Sequence, residues 1–135
     1  MGLVMINREL LGRRQIVGKV RKVSYGSEQI KIVEGGIDAI GMALYNGSEE
    51  EKASILFCLD RFLDPYYGYH LPYESDIFVL LQNLLFEENS NAIKEDILDL
   101  LQFYCEQPLD ILENGLDKLS GELLSHAKYV LYDEE

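Results

Sequence analysis

The chain has 135 residues, and 12 Lys and Arg against 24 Asp and Glu leave a formal charge of −12. That length suits one domain able to bury about two-thirds of its unfolded surface. A content of 47% hydrophobic and 27% charged residues is globular composition rather than disorder. Such acidity excludes a protein that coats nucleic acid with its whole surface, and no apolar run approaches the roughly 18 residues of a membrane span. Asn7, Arg8 and Glu9 interrupt the first apolar stretch; no secretory h-region is expected, and a cytoplasmic location is.

The charge is unevenly spread. Residues 1–31 hold seven bases (Arg8, Arg13, Arg14, Lys19, Arg21, Lys22 and Lys31) against two acids, Glu9 and Glu28, which makes +5; the remaining 104 residues carry −17. The chain is thus read as a single domain, with a basic N-terminal segment over 1–26 and an acidic helical body over 27–135. The basic segment could contact phosphate or an anionic membrane surface, fold back on the acidic body, or solvate a helix. It has no aromatic residue before Tyr25, which makes it a poor base-stacking surface. Ile6, Leu10, Val17 and Val20 fall near helical spacing, whereas Gly12, Gly18 and the β-branched Ile16, Val17, Val20 and Val23 suit a short strand. A helix and a short N-terminal hairpin both stay open.

From Ser27 the pattern is helical. Ile30, Val33, Ile37, Ile40 and Leu44 step by 3, 4, 3 and 4, one face of a helix capped by Ser27 and ended by Asn46-Gly47. Ser48-Glu49-Glu50-Glu51 is a capping box with three acids at the positive end of the helix dipole. Ile55, Leu56, Leu59, Phe62 and Leu63 follow, and Asp64-Pro65 stops that helix. After a connection over 65–74, a third helix is expected over 76–88, capped by Ser75, with Ile77, Leu80, Leu81, Leu84 and Leu85 inside. Asn89-Ser90-Asn91 breaks it. A fourth uses Ile93, Ile97, Leu100, Leu101 and Tyr104 and ends before Pro108. Leu109, Leu112, Leu116, Leu119 and Leu123 hold helical spacing to the end, with Gly115 and Gly121 as places for a bend or split. Tyr129, Val130 and Leu131 continue the last helix. The fold class expected is all-α, antiparallel helix pairs joined by short turns.

The chain also repeats itself. Under a shift of 42 residues, Ile37 falls on Val79, Met42 on Leu84, Ala43 on Leu85 and Leu44 on Phe86. Ser48 falls on Ser90, Lys52 on Lys94, Ile55 on Ile97, Leu56 on Leu98, Leu59 on Leu101 and Phe62 on Tyr104. Two helices and their turn keep one register. That period lies within the roughly 40–47 residues of HEAT and armadillo helix pairs. Over about residues 27–131 the chain resembles a short HEAT-like α-solenoid; an irregular helical bundle is the alternative.

Catalytic constellations are scarce. The chain has no G-x-x-x-x-G-K-[ST], H-E-x-x-H or G-x-S-x-G pattern and only two histidines, His70 and His126. Cys58 and Cys105 lie far apart in apolar segments without C-x-x-C spacing, and are read as buried reduced thiols, a disulfide between them staying open. Carboxylate pairs one helical turn apart, Glu95 with Asp99 and Asp60 with Asp64, arise from an acidic composition as readily as from a cation site. No catalytic residue, metal ligand or cofactor is assigned, and no enzyme is expected.

One connection departs from this background: Asp64-Pro65-Tyr66-Tyr67-Gly68-Tyr69-His70-Leu71-Pro72-Tyr73-Glu74. Four of the nine tyrosines stand within eight residues, between prolines and acids. Tyrosine brings a large rigid face with a polar tip, and proline lowers the cost of ordering a loop. The rings could equally pack over a groove between helix pairs and close the core. The partner-binding candidates are Asp60, Asp64, Tyr66, Tyr67, Tyr69, His70, Tyr73, Glu74 and Asp76. The expected partner is a cationic protein, steered by the acidic body. In size, charge and architecture the chain resembles the small acidic immunity proteins of bacterial toxin systems, some of them HEAT-like. That resemblance implies inhibition of a cationic toxin domain and carries over no functional residue. The alternative is a regulatory or scaffold module whose basic N-terminal segment contacts nucleic acid or protein while the acidic body recruits partners. Nucleic acid suits only that segment.

Overall fold

Two adjacent glycines divide what periodicity alone draws as one helix. Helix α1 spans Ser27–Glu34 and α2 spans Ile37–Asn46. Between them Gly36 adopts φ 107°, a region that a side chain strongly disfavours, so the helix breaks and turns back. The computed structural model describes residues 23–133, and every regular element there is helical. Five α-helices follow the first two: α3 Glu49–Leu63, α4 Glu74–Leu84, α5 Asn91–Tyr104, α6 Asp110–Asn114 and α7 Gly121–Tyr132. Single 3₁₀ turns stand at Pro65–Tyr67 and Leu116–Lys118. Of the N-terminal segment over 1–26, for which a helix and a short hairpin both stay open, residues 1–22 lie outside the described residues and 23–26 hold no regular element.

The local signals account for most boundaries. Ser48 accepts from the Glu51 amide while Glu51 reaches back to the Ser48 amide, so the expected capping box is present. Ser90 accepts from the Ile93 amide at the start of α5. Asp64, ahead of Pro65, ends α3 in an extended conformation. Two caps differ from expectation. Gly26, not Ser27, is the N-cap of α1, where Gln29 Oε1 accepts from the Gly26 amide at 2.8 Å. Tyr73, not Ser75, precedes α4, which therefore starts at Glu74 and stops at Leu84 rather than running over 76–88. The Asn89 side chain turns back to donate to the Leu84 carbonyl, satisfying the end of α4.

The helices alternate between two layers. Helices α2, α4 and α6 stack side by side in one; α1, α3, α5 and α7 stack in the other. Pairs α2–α3 and α4–α5 join the layers. This is the packing of a helical bundle or a short solenoid. The core runs between the layers through Ile40, Leu44, Ile55, Leu59, Ile77, Leu81, Ile97 and Leu101, all fully buried. Each such side chain gains about 1.5–3 kcal/mol on leaving water. The leucines matched by the 42-residue shift, Leu59 and Leu101, both lie inside.

The match is not gap-free, however. From Glu49 to Asn91 the step is 42, but from Ile37 to Glu74 it is 37. The structural equivalents are Ile40 with Ile77 and Leu44 with Leu81, not Met42 with Leu84; Met42 is 69% exposed and Leu84 is buried. The α2–α3 turn has two residues, Gly47 and Ser48, while the α4–α5 connection runs over 85–90. The longer connection and the one extra residue of α4 absorb the difference.

The leucine-rich end divides into α6, a 3₁₀ turn and α7, as its glycines suggest. Gln82, buried in α4, accepts from the Leu112 amide at 2.9 Å through its Oε1 and so fixes the short helix α6. Gly115 lies where a Cβ would stand 2.4 Å from Phe86 Cζ; only glycine lets that ring pack on the turn.

Candidate partner-binding site

The tyrosine connection leaves α3 through Asp64, whose Oδ1 accepts from the Tyr66 amide at 3.0 Å and closes the Pro65–Tyr67 turn. Arg61, in the last turn of α3, ties two aromatic residues to that helix. Its Nη1 donates to the Tyr25 hydroxyl at 3.1 Å, and its guanidinium lies 4.8 Å from the Tyr67 ring centroid. Tyr25 in turn meets Phe57 edge-on, so residues before α1 are fastened to α3. Tyr69 packs on Phe62 at 4.4 Å between centroids. Tyr73 donates its hydroxyl to the Val33 carbonyl at the end of α1, and burial pushes its phenol pKa up.

The two roles considered for these rings are thus divided along the connection. Tyr73 faces inward and joins the layers. Tyr67 and Tyr69 are braced on one face and open on the other, at 37% and 40% exposure. Tyr66 stands out, 85% exposed, edge-on to Tyr67. His70 and Asp76 are exposed, Asp64 and Glu74 half-buried. Asp60 departs from the expected rim position: it is 5% exposed and accepts a hydrogen bond from the Tyr104 hydroxyl of α5. It lies one turn from Asp64 on α3, but the helix points it toward α5 rather than toward the connection. Asp60 therefore belongs to the α3–α5 contact, and the surface acids beside the tyrosines are Asp64, Glu74 and Asp76.

A second polar cluster joins α5 to α7. His126 Nδ1 donates to Glu95, and its Nε2 lies 3.3 Å from Asp99 Oδ1. Burial lowers the imidazole pKa, but the hydrogen bonds and charges of Asp99 and Glu95 outweigh it and raise the pKa to about 9. The ring is an imidazolium at neutral pH with both nitrogens engaged, an ion pair between helices rather than a free base. The Glu95–Asp99 spacing was visible in the sequence as two carboxylates on one face. The histidine between them was not, because nothing local says that α5 and α7 are neighbours.

The thiols take no part in the hydrogen bonds described for either cluster. Cys58 and Cys105 are free. Burial pushes Cys58 up to about 12 and also raises Cys105, so both are protonated at neutral pH. Cys58 is fully buried while His70 is exposed on the connection. Among the described residues no group of three or more His, Cys, Asp or Glu could hold a metal ion, and no helix is long and apolar enough to cross a membrane. No protein-family model, curated protein or solved structure matches the chain.

Proposed function

We propose that this chain is a nonenzymatic acidic binding protein that captures a cationic protein partner, in the manner of a HEAT-like immunity protein neutralising a toxin domain. The observation that carries the reading is the connection between α3 and α4. Tyr66 is presented to solvent on a braced turn, Tyr67 and Tyr69 are held from behind by Arg61 and Phe62, and Asp64, Glu74 and Asp76 stand beside them. Held aromatic rings lose little entropy when a partner covers them, which favours an anchoring role. The net charge of −12 supports rapid, salt-sensitive encounter with a basic surface. A basic partner that needs neutralising suits a nuclease-like domain, whose cleft is positive because it binds phosphate.

The test is co-purification with the product of the adjacent upstream gene, when that gene ends in a variable cationic domain, followed by a salt titration. Complex formation at about 0.05 M salt that weakens by about 0.5 M and fails with Tyr66→Ala supports the reading. Absence of a complex at low salt, or a complex indifferent to Tyr66→Ala, contradicts it.

A further inference from the structure

The helices of the two layers differ in where their bases lie, not in net Asp, Glu, Lys and Arg charge, which is −5 in each. Lys31, Lys52, Arg61, Lys94 and Lys128 all lie on α1, α3, α5 and α7; α2, α4 and α6 contain no Lys or Arg. Lys118, on the second 3₁₀ turn, lies over the Phe86 ring. On the base-free helices, α2 presents Asp38, Met42 and Tyr45 at steps of 4 and 3, and α4 presents Asp76, Val79 and Asn83 at steps of 3 and 4, all exposed. The two helices meet where a Cβ on Gly41 would stand 4.0 Å from Leu80 Cδ1. Met42, Tyr45 and Val79 are exposed at 69%, 44% and 39%. All three stand on exposed stripes of two helices in contact, with Asp38 and Asp76 on the same stripes. The neighbouring α6 adds exposed Asp110 and Glu113.

We infer that this α2–α4 face is a docking surface for a cationic amphipathic helix of a partner protein, bordering the tyrosine connection at Asp76 but not depending on the role of its tyrosines. The apolar side of such a helix covers Met42, Tyr45 and Val79, and its Lys or Arg face the carboxylates, with no base on α2 or α4 to repel them. A second copy of this chain is a poor occupant, because it would set carboxylates against carboxylates. An anionic membrane is repelled for the same reason.

The probe is a fluorescein-labelled synthetic peptide of about 15–18 Leu and Lys residues patterned with leucines at i, i+3, i+4 and i+7. Its control is a scrambled peptide of the same composition. Fluorescence anisotropy should show the patterned peptide binding at least about tenfold more tightly than the scrambled one. Met42→Lys with Val79→Lys should remove about tenfold or more of that affinity, while Tyr66→Ala changes it less than about twofold. Amide chemical shifts of the unaltered protein on titration should move along α2 and α4, a readout that does not depend on any variant folding. Equal binding of both peptides, shifts confined to the α3–α4 connection or to the other layer, or a dimer through this face in sedimentation would each overturn the inference.

Discussion

Replacing His126 with Gln tests whether the α5–α7 contact depends on a buried ion pair. The imidazole pKa rises from 6.5 to about 9 in the folded chain, where Glu95 and Asp99 face it. At about 1.4 kcal/mol per unit, this caps the contribution near 3 kcal/mol. The His126 and Glu95 side chains are each 14% exposed, so solvent screening brings the expectation to about 2 kcal/mol. Below pH 6.5 the histidine is protonated in both states, and the whole contribution is present. Between 6.5 and 9 the unfolded chain loses its proton while the folded chain keeps it, so stability falls as pH rises. Above about pH 10 nothing of it remains. Urea unfolding of the parent and His126→Gln from about pH 6 to pH 10 should show a gap of about 2 kcal/mol at the acid end that closes at the alkaline end. A gap that stays constant across that range refutes the ion-pair account. So does an imidazole that titrates near 6.5 by NMR.

The core and the turns supply further tests. Leu59→Ala and Leu101→Ala, at matched positions of α3 and α5 fully buried in the core between the layers, should each cost about 2–5 kcal/mol in the same denaturant assay. Gly115→Ala drives a methyl into the Phe86 ring and should cost about 1–3 kcal/mol; pairing it with Phe86→Leu should recover part of that loss, which equilibrium unfolding of the double variant checks. Gln82→Ala leaves the Leu112 amide without its acceptor and should cost about 1–3 kcal/mol, with amide exchange accelerated first in α6. Asp60→Asn should lower stability through its contact with Tyr104 rather than slow association with a partner, as thermal unfolding will show.

Much of the helical architecture was legible in the sequence because it is written locally. The capping box at Ser48, the stop at Asp64-Pro65 and the buried faces of α3 and α5 follow from residue types at fixed short spacings. The break at Gly35-Gly36 was not, because the apolar steps through Ile30, Val33, Ile37, Ile40 and Leu44 continue across it; burial of Val33 in one helix and Ile40 in the next satisfies the same pattern. The gap-free repeat failed for a related reason. Apolar residues recur every three or four positions, so a shift of 42 finds partners in α4 although the true step there is 37. The tyrosine connection stood out by composition, but the direction of each ring did not. Tyr73 turns inward because the Val33 carbonyl at the end of α1 accepts its hydroxyl, a contact across 40 residues. Asp60 and His126 likewise take their roles from helices distant in sequence, and the confinement of the helical bases to one layer emerges only once the layers exist.

The measurement that bears most directly on the proposed function is the binding kinetics of an identified cationic partner at two ionic strengths, about 0.05 M and 0.3 M, with Asp64→Asn, Tyr66→Ala and Tyr69→Ala beside the parent. The account predicts that salt and Asp64→Asn chiefly lower the association rate, and that Tyr66→Ala and Tyr69→Ala raise the dissociation rate about tenfold or more while the helical circular dichroism signal is unchanged. Dissociation rates that stay within about twofold of the parent for both tyrosine variants would contradict it and place the interface on another surface of the protein.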